Sequence, residues 1–199
     1  MKFWSRVAVT LLLPTVLAVG IEPHRVPAAP ACGPGGPPIP SQTEGPYFKA
    51  NSPARVSLFE PGVTGTKMVI EGSVLTTDCK PIARARLDFW QADAEGRYDN
   101  AGYRLRGHQF TDDAGRYRLE TVVPGQYPGR TRHIHVKVQA PGQPALTTQL
   151  YFPGEPGNQR DAIFNPGLVM QVRDADGGKL AVFDFILDLQ PPRSTRPAR

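Results

Sequence analysis

Along much of this chain an apolar residue recurs at every second position, with polar residues between. This period of two constrains the fold more than any other feature. Because successive side chains of a strand point to opposite faces, such runs predict strands with one covered face. Helical periodicity is weak, since only 160–172 could form a helix and Pro166 opposes it. The sequence therefore predicts an all-β fold, a β-sandwich of mostly antiparallel strands with little helix. The clearest alternating runs are 68–74, 83–89, 117–123 and 181–189.

The 199 residues are enough for one domain, with segments of different composition at both ends. Residues 1–20 combine a charged start with an apolar run, which is typical of a signal peptide cleaved after Gly20 and too short for a secure membrane span. We therefore predict an exported protein, periplasmic or secreted, with no membrane span after signal removal. The remaining predicted segments are a Pro/Ala/Gly-rich arm or linker at 21–40, the sandwich domain at 41–190 and a Pro/Arg-rich tail at 191–199.

The two cysteines and the net charge narrow the environment and the partners. In an oxidising compartment Cys32 and Cys79 are reasonably interpreted as one disulfide, with two unpaired thiols as the alternative. The formal net charge is +5, but Lys2 and Arg6 belong to the leader and Arg193, Arg196 and Arg199 to the tail. Because no basic face interleaved with aromatic residues is visible in the body of the chain, we predict no nucleic-acid partner. A mild positive balance would also suit anionic aromatic acids.

A pair of histidines on a predicted strand is the first sign of chemistry. If 131–138 is a strand, its apolar residues face the core, while His133 and His135 project together from the other face. Two neighbouring imidazoles can chelate zinc, copper or iron. The alternative is that both are polar residues on a solvated sheet face. The chain has only 4 histidines, and Tyr127 lies just before this pair, so we favour the metal site.

Several ordered motifs at compatible spacings add to this pair and run from Thr43 through most of the chain. They resemble the motifs of the intradiol ring-cleavage dioxygenases, such as protocatechuate 3,4-dioxygenase. The resemblance implies an iron(III) cofactor, Fe(3+), held by Tyr98, Tyr127, His133 and His135. The motifs are Thr43-Glu44-Gly45-Pro46-Tyr47-Phe48, Trp90-Gln91-Ala92-Asp93 with Gly96-Arg97-Tyr98, Thr111-Asp112-Asp113-Ala114-Gly115, Pro124-Gly125-Gln126-Tyr127 with Gly129-Arg130, His133-Ile134-His135, and Gln149-Leu150-Tyr151-Phe152.

The resemblance also implies an activity and catalytic residues. An enzyme of this family opens a catechol-type aromatic diol with O2 to a cis,cis-muconate-type dicarboxylate, a step in aromatic compound catabolism. The phenolates are hard anionic donors that suit iron(III). Tyr127 would also serve as a base for a substrate proton, and Arg130 would stabilise negative charge on the substrate. Gln149 matches an active-site glutamine. The alternatives are a surface ion pair for Arg130 and a structural amide for Gln149.

Two functions of other classes remain open at this point. One is an exported β-sandwich that binds copper or zinc through His133 and His135, for which Tyr98 and Tyr127 would be dispensable. The other is a non-catalytic, transthyretin-like binding module that holds no iron. The sequence does not identify the catechol that would be the natural substrate, and the chain could form a homo-oligomer.

Overall fold

The computed structural model describes Cys32 and residues 36–189, so the predicted signal peptide, most of the predicted arm and the predicted tail lie outside the described residues. The described part is nearly all β, as predicted, with nine strands and one short 3-10 turn. The strands are β1 (Lys67–Thr76), β2 (Arg86–Trp90), β3 (Arg106–Phe110), β4 (Arg116–Val122), β5 (His133–Gln139), β6 (Leu146–Tyr151), β7 (Gln171–Ala175), β8 (Gly178–Val182) and β9 (Phe185–Leu187), and the 3-10 turn is Pro166–Leu168.

The strands form two sheets. The first sheet has the order β4-β1-β8-β7, with β9 paired to the far end of β1. In it β1 runs antiparallel to β4 and parallel to β8 and β9. The second sheet has the order β3-β2-β5-β6 and is antiparallel throughout. The sandwich is therefore mixed in one layer and antiparallel in the layer that carries the histidines.

The core lies between the two sheets and is built from the inward residues of the alternating runs. Ile70 and Leu119 from the first sheet, and Leu87, Val136 and Leu150 from the second, are fully buried. Ile39 also packs into this core, and its N–H donates to the carbonyl of residue 186 at 2.9 Å. Burial of these apolar side chains is the main driving force for folding.

Two local expectations differ from the structure. The run 181–189 is not one strand, because β8 ends at Val182 and β9 begins at Phe185. Between them the Asp184 carboxylate accepts the Ser73 N–H at 2.7 Å, a local contact that replaces the strand ladder. In the segment 160–172 the only helical element is the 3-10 turn Pro166–Leu168, because proline cannot continue a helix, and β7 begins at Gln171.

Two further features concern the described residues beyond the two sheets. Cys32 and Cys79 are joined in a disulfide, which ties the start of the described chain to the turn after β1. No helix among the described residues is long and apolar enough to cross a membrane.

The outer face of the second sheet is covered by irregular segments instead of solvent. The amino-terminal segment 42–50 is held there by several bonds, among them the Arg106 guanidinium to the carbonyl of Tyr47 at 2.6 Å. The connections 91–105, 123–132 and 152–165 close around the same face, and a rigid sheet beneath irregular loops is a common setting for functional sites.

Candidate active site

The alternation along β5 places the two histidines together on the covered outer face. Ile134, Val136 and Val138 are fully buried in the core, while His133 and His135 are 3% and 1% exposed on the opposite face. Their Nε2 atoms are 3.1 Å apart. The alternative of a solvated sheet face does not apply to this pair, because both rings are buried.

Both imidazoles are neutral at neutral pH. Burial lowers the pKa of His133 to about 4, with a further contribution from Arg130. Burial also brings the pKa of His135 well below its ordinary value, helped by the neighbouring His133. The His133 Nδ1 atom lies 2.7 Å from the Thr131 carbonyl, and we assign the proton to this nitrogen. The Nε2 atom of His133 then carries no proton, and its lone pair faces His135.

Both tyrosines implied by the resemblance reach this pair. The Tyr127 hydroxyl lies 3.3 Å from His133 Nε2. The Tyr98 ring lies 5.8 Å from the Tyr127 ring and 6.4 Å from the His135 ring. The Tyr98 hydroxyl is shielded from solvent beside the Tyr127 phenol, with no hydrogen bond of ordinary geometry. Burial raises the pKa of Tyr98, and it also raises that of Tyr127, where Arg130 opposes the shift.

The four side chains fit a metal ion. Among the described residues no three His, Cys, Asp or Glu side chains converge, so a metal beside the two histidines would need the phenols to complete its ligands. The Tyr98 hydroxyl is a buried polar atom without a hydrogen-bond partner. Buried polar groups are rarely left unpaired, and a cation drawing protons from the phenols would account for the cluster of donor atoms.

Arg130 is fixed beside this cluster by three neighbours. Its Nε donates to Asp161 Oδ2 at 2.9 Å, its Nη1 to the Tyr127 hydroxyl at 3.3 Å and its Nη2 to Gln149 Oε1 at 2.5 Å. Gln149 is fully buried, and its Nε2 donates to the Thr43 carbonyl at 3.2 Å. The structure thus brings together all the residues that the sequence suggested for the site. Arg130 makes a shielded contact and not a surface ion pair.

Three further residues at this site were not assigned to it from the sequence. Tyr47 stacks on Tyr98 with ring centroids 4.2 Å apart, and Trp90 stacks on His135 at 4.8 Å. Trp90 could have been found, because alternation places it on the face opposite Phe89. Asp161 lies in a connection without periodicity, and no sequence signal marked it.

Two separate grooves are bordered by the tyrosines, one by each phenol. One, of about 480 Å³, passes Tyr127 and Arg130 and is flanked by Arg160. The other, of about 290 Å³, passes Tyr98 and is flanked by Arg97 and Arg104. A small molecule that enters either groove would therefore meet one of the two phenols.

Comparison with known proteins identifies the family of this site. A family model described as "Dioxygenase" matches residues 43–190, which include every residue of the site. The chain belongs to the intradiol ring-cleavage dioxygenases. Hydroxyquinol 1,2-dioxygenase of Rhodococcus opacus is 31% identical over 179 residues, which cover 77% of this chain and 55% of that protein. The chain spans about half the length of the curated relatives that it matches.

Solved structures of intradiol dioxygenases share the fold. The dioxygenase domain of a dioxygenase carbohydrate-binding protein fusion from Streptomyces sp. SirexAA-E is 56% identical, with a TM-score of 0.76, covering 77% of this chain and 100% of that domain. The 3-chlorocatechol 1,2-dioxygenase of Rhodococcus opacus 1CP is 26% identical, with a TM-score of 0.71, covering 76% of this chain and 73% of that one.

Proposed function

We propose that this intradiol dioxygenase uses iron(III) to cleave a catechol-type aromatic diol with O2 between the two hydroxyl-bearing carbons, giving a cis,cis-muconate-type dicarboxylate. The observation that carries the proposal is the convergence of two phenols and two neutral imidazoles on one buried point. Tyr127 and His133 are in contact, His135 touches His133, and Tyr98 lies beside Tyr127 and His135.

The donor set supports a trivalent ion more than copper or zinc. Two phenolates supply two negative charges, and oxygen anions are hard donors that suit hard cations, whereas the imidazoles are neutral. A ferric ion held by these four residues would bind both oxygens of the diol and make the ring reactive toward O2. The raised pKa values of the free phenols mean that the protein releases two protons when it binds the metal.

Tyr127 is positioned for a second role as a proton acceptor. It borders the wider groove, and its hydroxyl contacts both His133 and Arg130. A phenolate at this place can take a proton from an incoming diol hydroxyl, and the adjacent guanidinium stabilises the negative charge before the transfer. Tyr98 faces the narrower groove and is more enclosed, so we assign it the role of a permanent ligand.

Arg130 and Gln149 control the charge on the substrate. The Arg130 guanidinium cannot lose its proton in this setting, so it offers a fixed positive charge beside the reacting ring. Gln149 and Asp161 each occupy one side of the guanidinium, which leaves its remaining edge directed at Tyr127. The bonds hold this donor in place before the substrate arrives, and preorganised donors are effective in catalysis.

The substrate class and the location are part of the same proposal. The relatives are named for hydroxyquinol, catechol and chlorocatechol, and we propose that this enzyme also acts on a small catechol in the breakdown of aromatic compounds. The leader-like sequence at 1–20 supports export to the periplasm or exterior.

The experiment is oxygen uptake by the purified, iron-loaded protein with a panel of catechols, combined with product masses. We expect a red-brown protein whose absorption band changes on addition of catechol, and a product heavier than the substrate by one O2. Ready binding of zinc or copper in place of iron, without O2 uptake, would instead indicate a metal-carrying protein. A colourless protein that stays inert after ferric loading would indicate a binding module.

A further inference from the structure

The two histidines of the site are held in place by different means. His133 is oriented by the bond of 2.7 Å between its Nδ1 and the Thr131 carbonyl. In the described structure the corresponding nitrogen of His135 is buried and has no hydrogen-bond partner. A histidine ring can turn broadly about its last side-chain bond, and a metal ligand normally relies on its second nitrogen to fix it. The orientation of His135 must therefore come from a different contact.

Trp90 provides that contact. It is the direct cross-strand neighbour of His135 in the pairing of β2 with β5. The indole and the imidazole are nearly parallel, with ring centroids 4.8 Å apart and an interplanar angle of 7°. On the amino-terminal segment, a Cβ atom added to Gly45 would come within 3.4 Å of His135 Cε1. A distance of 3.4 Å is ordinary van der Waals contact, so the backbone at residue 45 lies near the imidazole but leaves space beside it. The indole is therefore the contact that confines the imidazole.

The indole is itself confined by the amino-terminal segment. The Phe48 ring packs edgewise against Trp90, with centroids 4.9 Å apart. Lys137 Nζ lies 3.7 Å from the centroid of the Phe48 ring and forms an ion pair with Glu44. Trp90 is 1% exposed and is not part of the core between the sheets. Trp90 is therefore buried on the outer face of the second sheet, where the candidate site lies.

We infer that Trp90 is a positioning residue for His135, orienting its Nε2 toward the metal by ring stacking where His133 relies on a hydrogen bond. This inference rests on the proposed function, because it concerns a metal held by His135. A ligand that is already oriented loses less freedom when the metal binds. Mutation of a residue that orients a metal ligand without binding the metal itself typically weakens metal affinity by about 10-fold to 100-fold.

The chain offers a direct test, because it has only two tryptophans, Trp4 and Trp90. With Trp4→Phe in every variant of the full chain, Trp90 becomes the single tryptophan and reports on the site. The variants are Trp90→Leu, Trp90→Phe and the matched control Phe89→Leu. Phe89 is the preceding residue of the same strand, but it is fully buried in the core on the opposite face. The probe is ferric ion supplied as its nitrilotriacetate complex.

Three readouts are compared, none of which depends on turnover: ferric affinity by chelator competition, thermal unfolding, and tryptophan emission. We expect Trp90→Leu to weaken ferric affinity by about 10-fold to 100-fold and Trp90→Phe to weaken it less, because a flat ring remains. Phe89→Leu should lower the melting temperature while keeping the affinity. In the Trp4→Phe parent, ferric binding should quench the emission of Trp90.

The outcomes separate this inference from the proposed function. Two results would overturn the role of Trp90 while leaving the proposed function intact, provided that the parent binds ferric ion. In the first, Trp90→Leu binds ferric ion as tightly as the parent. In the second, Phe89→Leu loses as much affinity as Trp90→Leu. Unchanged emission with one ferric ion bound per chain also overturns it, and this result does not depend on any variant folding. A parent that binds no ferric ion overturns the proposed function and this inference together.

Discussion

Replacement of Asp161 by Asn should destabilise the protein and disturb the candidate active site at the same time. The Asp161 side chain is 2% exposed and the Arg130 side chain 17% exposed, with their charged atoms 2.9 Å apart. Asp161 also accepts the N–H groups of Thr131 and Ile163. Removal of one partner from a fully buried ion pair costs about 3–5 kcal/mol.

The expected loss for Asp161→Asn is smaller than that range. Asparagine keeps one oxygen to accept a backbone N–H, and Arg130 retains some contact with water. We therefore expect about 2–3 kcal/mol, which for a chain of this length lowers the melting temperature by roughly 4–12 °C. Catechol turnover should fall as well, because the guanidinium beside Tyr127 loses one of the contacts that hold it.

The dependence of this loss on pH provides a second check. Burial alone would raise the pKa of Asp161, but the N–H groups of Thr131 and Ile163, together with Arg130, hold it below its ordinary value. The stabilisation by the carboxylate is therefore present above the pKa of the unfolded state, about 4, and is lost as the pH falls through the lower folded-state pKa. The gap in stability between the parent and Asp161→Asn should narrow in that acidic range.

Urea and thermal unfolding at pH 7 and in the acidic range measure the loss of stability and its dependence on pH. Oxygen uptake at pH 7 measures the loss of catechol turnover. The control is Asp174→Asn, which removes a surface ion pair to Lys179 whose carboxylate is 88% exposed, and it should change the stability by less than about 1 kcal/mol. Equal losses for the two variants, or an Asp161→Asn protein as stable and as active as the parent, would refute this reasoning.

Two further predictions concern the proposed catalytic role of Arg130 and the disulfide. Arg130→Gln should lower kcat by about 10²–10³-fold with a smaller change in KM, because the fixed positive charge acts mainly on charge that develops during the reaction. Oxygen uptake measures both constants, and an unchanged kcat would contradict that role. Cys32→Ser should lower the free energy of unfolding by about 4 kcal/mol, because the Cys32–Cys79 bond closes a separation of 47 residues. Urea unfolding of the parent and of Cys32→Ser measures this loss. A reducing agent should remove the difference in stability between the two proteins, because it breaks the disulfide of the parent.

The sequence predicted the parts of the fold that depend on local pattern. The alternation around Ile70 and Leu119 marked β1 and β4 of the first sheet, and the alternation around His133 placed both imidazoles on one face. β3 was not predicted because both of its faces carry buried polar residues where apolar ones would signal burial. Arg106 lies on the covered outer face and Gln109 on the core face.

The details of the site that depend on long-range packing could not be predicted. The stacking of Trp90 on His135 follows from the register between β2 and β5, which a single sequence does not specify. Asp161 reaches Arg130 from an irregular connection, across 31 positions of the chain. Pattern analysis finds residues on regular elements, whereas such contacts arise only when loops meet.

Metal content and the visible absorption spectrum of the parent, Tyr98→Phe and Tyr127→Phe proteins test the central claim most directly. We expect one ferric ion per parent chain, with a charge-transfer band that each substitution weakens, because each removes one phenolate from the ion. Equal ferric binding and an identical band in all three proteins would contradict the claim that both phenols hold the metal with His133 and His135.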